Sequence, residues 1–152
     1  MSAPVVVLGI DPGLTRCGLG VVRGPAMAPT LVHQDCLRTG ANRPLEQRLL
    51  DVHDAIVRAI AAHRPDAVAV ERVLFSSNVR TAMATGQAAG VALLAAARAG
   101  VPVAAYSPSD VKLTVAGAGD ADKDAVARLV TAQLRLAERP RPADVADALA
   151  VA

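Results

Sequence analysis

The sequence predicts an α/β fold in which helices cover both faces of a mixed β-sheet. Three short apolar runs follow one another with tight turns between them, as expected for hairpin-connected strands. After these runs, helical and strand-like patterns alternate along the rest of the chain. This order is typical of a mixed sheet packed between helices. At 152 residues, 53% of them hydrophobic, the chain is expected to form a single domain, residues 1–152.

The first three predicted strands lie close together in the sequence. Val5–Ile10 is an apolar run typical of a strand buried on both faces, and Asp11-Pro12-Gly13 then favours a turn. Gly18–Arg23 predicts a second strand that forms a hairpin with the first. Thr30–Leu37 predicts a weaker third strand.

Alternating units follow the hairpin strands. Pro44–His63 carries apolar residues at helical spacing, and Ala67–Val70 predicts a fourth strand that ends in Glu71. Asn78–Ala99 predicts a long helix, and Pro102–Tyr106 a fifth strand. The fourth and fifth strands are therefore each preceded by a helix.

The C-terminal part of the sequence predicts further helices near Ser107–Val115 and Asp120–Leu136, and a last one from about Pro142. The loop before the second of these contains glycine, and backbone N–H groups at such a helix start can bind phosphate. The local pattern alone favours a plain loop with Asp120 as the N-cap.

Composition limits the classes of function. The net charge of +2 and the pI of about 8.8 permit an anionic partner without requiring one. The two cysteines form no metal pattern and suit a reducing compartment. No basic segment precedes the first apolar run, and Thr81–Ala97 is too short and too weakly apolar to span a bilayer. We therefore expect a cytoplasmic protein without a membrane association.

Four carboxylates stand out because of their positions. Asp11 and Glu71 each end a predicted strand, whereas Asp144 and Asp147 lie three residues apart on the last predicted helix and share a face. If these elements meet, the carboxylates repel one another unless a cation neutralises them. Oxygen ligands without histidine or cysteine favour Mg²⁺ or Mn²⁺.

Each carboxylate also has a purely structural interpretation. Asp11 is a good turn residue, and Asp144 is favourable in a first helical turn. The structural interpretation is weaker for Glu71, since Glu is depleted in strands, and weakest for Asp147, which lies past any capping position on an apolar helix. Spacing alone does not predict that the four converge.

Lysine occurs only at Lys112 and Lys123, among 16 basic residues. A sequence so rich in arginine keeps lysine where a compact point charge is more suitable than a planar guanidinium. The alternative for Lys123, in its loop before a helix, is that it is simply solvated.

Taken together, four motifs resemble a known family. They are LGIDPGLTRCGLGVV, AVAVERVLFSSNVRTAMATGQAAGV, SPSDVKLTVAGAGDADKDAV and PADVADALAVA. In this order, over nearly the whole chain, they resemble the RuvC family of bacterial Holliday junction resolvases. The resemblance implies a ribonuclease H-like fold with a five-stranded mixed sheet, which agrees with the element order above.

The resemblance also implies an activity, a structure-selective, Mg²⁺-dependent endonuclease that cuts four-way DNA junctions by paired symmetric nicks in recombination and repair. Two metal ions per subunit would flank one phosphate, giving 5′-phosphate and 3′-hydroxyl ends, with Mn²⁺ as an alternative metal. It implies a homodimer that works with the RuvA–RuvB branch-migration complex. The residues on which the family's metal ligands and active-site lysines fall are Asp11, Glu71, Asp144, Asp147, Lys112 and Lys123.

Further DNA contacts are expected beside the fourth strand. Leu74 and Phe75 precede a helix in an otherwise polar stretch, so at least one is expected to act as a wedge at the junction centre. The alternative is a hydrophobic staple onto that helix. Asn78 and Arg80, near the helix start, are expected to contact DNA together with the two lysines.

The Asn78–Ala99 helix is expected to form the dimer interface, because it carries few charges and is apolar on more than one face. The alternative is that it packs entirely within its own subunit. The expected interface residues are Met83, Gly86, Gly90, Leu93 and Leu94.

Three other functions remain open from sequence. ATP-handling folds of the actin and sugar-kinase type also open with a GID-x-G hairpin, but they need a second lobe for which 152 residues leave no room. The second is a small monomeric nuclease of the same fold acting on RNA, but the Asn78–Ala99 helix is apolar on more than one face and so suits a subunit contact. A catalytically silent junction-binding protein would have no need of four intact carboxylates.

Overall fold

A computed structural model describes residues 3–72 and 78–152, so Leu74 and Phe75 lie outside the described residues. The strands are β1 (Val5–Asp11), β2 (Arg16–Gly24), β3 (Thr30–Arg38), β4 (Ala67–Glu71) and β5 (Val103–Tyr106). The helices are α1 (Leu45–His63), α2 (Val79–Arg98), α3 (Pro108–Ala116), α4 (Lys123–Gln133) and α5 (Ala143–Val151).

The five strands form one mixed sheet in the order β3-β2-β1-β4-β5. The first hairpin is antiparallel, whereas β4 runs parallel to β1 and β5 runs parallel to β4. The most apolar strand, β1, is therefore central. The predicted five-stranded mixed sheet is confirmed.

Two hydrophobic clusters cover the two faces of the sheet. On one face, Leu8 and Ile10 of β1 pack with Val52 and Ile56 of α1 and with buried alanines of α2. The other cluster joins a β2 valine to residues of α4 and α5, and its buried members are Val22, Val126, Val130, Val145 and Leu149. Helices on both faces are therefore confirmed, and α5 belongs to the second face.

Helix α5 lies unusually close to the β1–β2 hairpin because glycines line its path. A Cβ atom added at Gly18 would lie 2.0 Å from the carbonyl oxygen of Asp144, and one at Gly9 would lie 2.0 Å from that of Ala148. Gly9 and Gly20 are cross-strand partners, and Gly20 has no room for a Cβ beside Leu149. The helix backbone thus rests on the sheet backbone at positions where any larger side chain would separate them.

The structure corrects the predicted start and end of the fourth helix. It begins at Lys123 rather than Asp120, because the Oδ1 atom of Asp122 accepts a hydrogen bond from the Ala125 N–H at 2.7 Å. It ends at Gln133, before Arg135 takes a positive φ of 54°. Asp120 is therefore a turn residue and not the N-cap.

The β2 and β3 strands extend further than their apolar patterns predicted. Their antiparallel ladder continues to the pair Arg16 and Arg38, beyond the predicted ends at Gly18 and Leu37. Main-chain hydrogen bonds do not depend on side-chain polarity, so hydrophobic patterning underestimates such strand ends.

Membrane association was expected to be absent. Within residues 3–72 and 78–152, each helix falls short of the combined length and apolarity that crossing a bilayer requires.

We predict that Gly18→Ala destabilises the protein by about 1–3 kcal/mol, because the new methyl group forces α5 away from β2. Denaturant unfolding measures the change. Gly40→Ala is the control, since the nearest atom to an added Cβ there is a flexible Arg43 side-chain carbon at 3.8 Å. Equal stability of the two variants would contradict the proposed close contact.

Candidate active site

The sheet register places Asp11 and Glu71 side by side. Ile10 of β1 pairs with Val70 of the parallel strand β4, so the next residue on each strand is a carboxylate. Ile10 and Val70 point into the cluster with α1 and α2. Because side chains alternate along a strand, Asp11 and Glu71 point to the other face, where α5 lies.

Helix α5 brings two more carboxylates to this point. Gly18, the cross-strand partner of Asp11, is the residue on which the Asp144 backbone rests. Asp147 lies about one turn further along α5, on the same side of the helix. The four carboxylates that the sequence singled out therefore come from three elements, β1, β4 and α5, that meet at one end of the sheet.

Burial and the repulsion between the carboxylates affect the pKa values of Asp11 and Glu71. Burial raises the pKa of Asp11 to about 8, and the charges of Asp147, Glu71 and Asp144 contribute to the rise. Burial also raises the pKa of Glu71, again with a contribution from Asp147. Burial and the neighbouring carboxylates therefore both oppose ionisation of Asp11 and Glu71.

Basic side chains contact the two helix carboxylates. The Lys123 Nζ atom lies 3.3 Å from the Asp147 Oδ2 atom, and this neighbour raises the pKa of Lys123. The Arg16 Nε atom lies 3.6 Å from the Asp144 Oδ2 atom. Lys123 was predicted as a site residue but Arg16 was not, because the position of Arg16 beside a carboxylate depends on how α5 packs.

Both lysines line a cavity of about 230 Å³ next to the carboxylates. The positive charge of Lys112 offsets part of the rise that burial causes in the pKa of Glu71, which places Lys112 on the β4 side of the site. Helix α3, which carries Lys112, begins with a reciprocal capping box between Ser107 and Asp110. The residues that line the cavity are Glu71, Pro108, Val111, Lys112, Lys123, Val126, Asp147 and Ala150.

The donor set fits a hard divalent cation, because it consists of carboxylate oxygens whose repulsion a positive charge would relieve. Among the described residues, no group of three or more His, Cys, Asp and Glu side chains is already arranged to hold an ion. Asp144 and Asp147 contact Arg16 and Lys123 instead, so these basic groups supply part of the compensating charge.

The remaining predicted residues lie on or before α2. The side chain of Asn78 accepts a hydrogen bond from the Thr81 N–H at 3.2 Å and so caps this helix, and Arg80 is exposed in its first turn. Met83, Leu93 and Leu94 are exposed hydrophobic residues. Gly86 and Gly90 have open space where a Cβ would stand.

The glycines that seat α5 are functional positions that were not predicted from the sequence. The sequence does contain a sign of them, because Gly18 and Gly20 occupy alternate positions of a predicted strand and Gly9 lies two residues before Asp11. Glycine inside a strand often marks a close backbone approach. Which element approaches is not encoded in that pattern.

We predict that the metal-free protein loses stability as the pH rises from about 4 to about 8. The pKa of Asp11 is raised from 3.8 to about 8 by folding, so the unfolded chain releases this proton first and ionisation then opposes folding. The Asp11→Asn variant should lose much less stability over this pH range, and near pH 9 its free energy of unfolding should exceed that of the wild type.

Thermal unfolding in a chelator across this pH range measures the effect. Asp124→Asn is the matched control, because Arg139 lowers the pKa of the exposed Asp124 and its ionisation favours the folded state. A pH profile of Asp11→Asn that coincides with the wild type would contradict the prediction.

Comparison with known proteins gives the family. The sequence model described as "Crossover junction endodeoxyribonuclease RuvC" matches residues 7–152. A protein of that name from Salinispora arenicola is 56% identical over 147 residues, covering 96% of this chain and 84% of the relative. One from Rhodococcus opacus is 55% identical over 147 residues, covering 96% and 78%.

Solved structures agree with the sequence relatives. RuvC of Thermus thermophilus in complex with a Holliday junction substrate superposes with a TM-score of 0.92 at 43% identity, covering 97% of this chain and 90% of that one. The yeast mitochondrial Holliday junction resolvase Ydc2 shares the fold at a TM-score of 0.63 and 13% identity, covering 95% of this chain and 76% of that one. The resemblance found in the motifs is confirmed, and the chain belongs to the RuvC family of crossover junction endodeoxyribonucleases.

Proposed function

We propose that this protein resolves four-way (Holliday) DNA junctions by paired symmetric nicks, in homologous recombination and DNA repair. The observation that carries the proposal is the meeting of four carboxylates beside a lysine-lined cavity, in a chain of this family. The Thermus thermophilus relative is described in complex with a Holliday junction substrate, which supports the choice of DNA substrate. This family membership favours the nuclease over an ATP-handling protein.

Two Mg²⁺ ions per subunit would be held by the carboxylates of Asp11, Glu71, Asp144 and Asp147, with Mn²⁺ as a possible replacement. Such ions, when bound, lower the pKa of an attacking water and stabilise charge on the leaving oxygen. Asp11 and Glu71 are fixed on neighbouring strands, and the helix carboxylates are fixed by the seating of α5. These fixed backbone positions support the choice of the four residues as the ligand set.

Lys112 and Lys123 would contact the scissile phosphate from the cavity side. The Lys123 side chain is 79% exposed although it contacts Asp147, so it can exchange this contact for a phosphate oxygen. Lys112 lines the same cavity near Glu71. Two positive charges at this position would stabilise the charge that develops during hydrolysis to 5′-phosphate and 3′-hydroxyl ends.

Further DNA contacts are proposed for Leu74, Phe75, Asn78 and Arg80. The wedge role of Leu74 or Phe75 stays a prediction, because both lie outside the described residues. Arg80 is exposed beside the N-terminus of α2, which follows this segment directly. Basic and polar groups there would meet DNA that leaves the site along β4.

The proposed dimer uses the exposed face of α2. Met83, Leu93 and Leu94 are 61%, 44% and 53% exposed, an unusual concentration of apolar surface on one helix. The open positions of Gly86 and Gly90 would let a second helix approach closely. Two identical sites related by a two-fold axis match the symmetry of a four-way junction and of paired nicks.

We also expect the protein to act in the cytoplasm with the RuvA–RuvB branch-migration complex. Both expectations follow from the proposed junction substrate and from the family resemblance.

We predict that each of Asp11→Asn, Glu71→Gln, Asp144→Asn and Asp147→Asn abolishes junction cutting while sparing junction binding. Each change removes one ligand charge, whereas affinity for DNA comes mainly from phosphate contacts. The assay is incubation with a mobile four-way junction, with and without Mg²⁺, scored for symmetric nicks.

Asp124→Asn is the control for these variants, because this exposed carboxylate pairs with Arg128 and Arg139 on α4 and in the loop after it. Near-normal cutting by any of the four site variants would remove that residue from the site. Wild-type protein that leaves the junction intact in Mg²⁺ would overturn the proposed function.

We predict that Gly90→Glu converts a dimer into monomers that bind the junction poorly. The new side chain meets open space within the subunit, so folding should be retained. Light scattering at micromolar concentration should give the 15.5 kDa subunit mass for the variant and twice that for the wild type. Ala61→Glu on the exposed side of α1 is the control, and a wild-type monomer that still makes paired nicks would contradict the prediction.

A further inference from the structure

Two arginines stand at the end of the sheet beside the carboxylates. Arg16 of β2 and Arg38 of β3 are direct cross-strand partners in the antiparallel ladder. Arg16 reaches Asp144, and both arginines lie close enough to Cys36 to influence its acidity. Cys36 packs into the cluster with α5, and Arg38 follows it by two residues, so both arginines lie on the α5 face.

The pairing of Arg16 with Arg38 lowers the stability of the sheet, and no packing contact among the described residues requires it. Like charges directly opposite on neighbouring strands are destabilising. The Asp144 carboxylate compensates Arg16, whose side chain is still 52% exposed. Arg38 is exposed and forms no salt bridge with a carboxylate in residues 3–72 and 78–152.

The backbone beneath the two arginines is fixed. The buried Thr39 donates its Oγ1 hydrogen to the Leu14 carbonyl at 2.5 Å and accepts a hydrogen bond from Arg48 Nε at 2.8 Å. The Thr39 N–H bonds to the Thr15 carbonyl at 3.1 Å, next to both arginines in sequence. Two exposed guanidiniums therefore project from a rigid base, which is what a preorganised anion site requires.

We propose that Arg16 and Arg38 form a phosphate-binding subsite for the cleaved DNA strand, on the side of the carboxylates opposite to Lys112. The proposal rests on the proposed function. Across the strand ends, the order is Arg38 on β3, Arg16 on β2, Asp11 on β1 and Glu71 on β4, with neighbouring strands roughly 4.8 Å apart. A DNA strand crossing these ends would meet arginines on one side of the scissile phosphate and lysines on the other.

The charges at this end of the sheet support a DNA strand that crosses the strand ends in this way. Arg16 contacts Asp144, Lys123 contacts Asp147, and Lys112 acts on Glu71, so divalent cations at the carboxylates would free these basic groups to bind phosphate. Guanidinium groups bind phosphate oxygens through paired hydrogen bonds, which suits a subsite that must orient the strand.

The first test is the salt dependence of junction binding, measured by fluorescence anisotropy in Ca²⁺ on DNA verified as uncut. Arg38→Gln should lower the magnitude of the slope of log K against log salt by about 0.9 for each phosphate that the variant no longer neutralises. Arg38→Lys should restore most of the slope. Arg58→Gln, the same charge change on α1 at the opposite face of the sheet, should leave the slope unchanged.

The second test locates the phosphate. Neutral methylphosphonates are placed one at a time on either side of the cut in the junction, and binding is measured with wild type and Arg38→Gln. A methylphosphonate at the phosphate that Arg38 binds should weaken wild-type binding but cause no further weakening in the variant. Melting temperature should stay the same or rise in Arg38→Gln, because the repulsion with Arg16 is removed.

Unchanged salt slopes for Arg38→Gln, or additive effects at every methylphosphonate position, would overturn the subsite. These outcomes are distinct from failure of the proposed function, in which the wild type itself neither binds nor cuts the junction. A wild type that cuts while Arg38→Gln behaves like Arg58→Gln would leave the nuclease assignment in place and remove the subsite.

Discussion

The site depends on the contact between α5 and the β1–β2 hairpin. At Gly9 and Gly18, carbonyl oxygens of the helix occupy the space that a Cβ atom would need. Close-packed interiors cannot absorb such an overlap, so a larger residue would move the helix. Since Asp144 and Asp147 belong to α5 and Asp11 and Glu71 to the sheet, this one contact determines whether the four carboxylates meet.

A second constraint is electrostatic. Burial and neighbouring charges raise the pKa of Asp11 to about 8, so the folded site opposes the ionisation that cation binding requires. Lys123 and Arg16 relieve part of this repulsion through their contacts with Asp147 and Asp144. Functional sites commonly show such perturbed acidities, because charges are brought together for chemistry rather than for stability. We propose that the same basic groups contact phosphates of the bound DNA.

The described core uses small aliphatic side chains in place of aromatics. Alanines of α2 and valines and isoleucines of α1, β1 and β4 form the cluster on one face. The opposite side of α2 retains exposed Met83, Leu93 and Leu94. A helix that buries alanine against its own sheet and exposes larger apolar residues outward is suited to pairing with a second copy.

The sequence by itself determined the order of the elements and indicated the residues that are expected to carry the chemistry. Local periodicity gave five strands and the long helices, and four motifs gave the family. Glu71 and Asp147 stood out because acids are rare at such positions, whereas Asp11 and Asp144 also had ordinary structural interpretations. The tertiary structure decided which face Asp11 and Glu71 occupy, which residues seat α5, and that Asp122 caps α4. It also decided that Arg16 and Arg38 stand side by side, with Arg16 in contact with Asp144. Strand register and the packing of α5 depend on contacts between residues that are distant in sequence, and the choice of N-cap depends on competing local hydrogen bonds. Hydrophobic periodicity encodes neither of these.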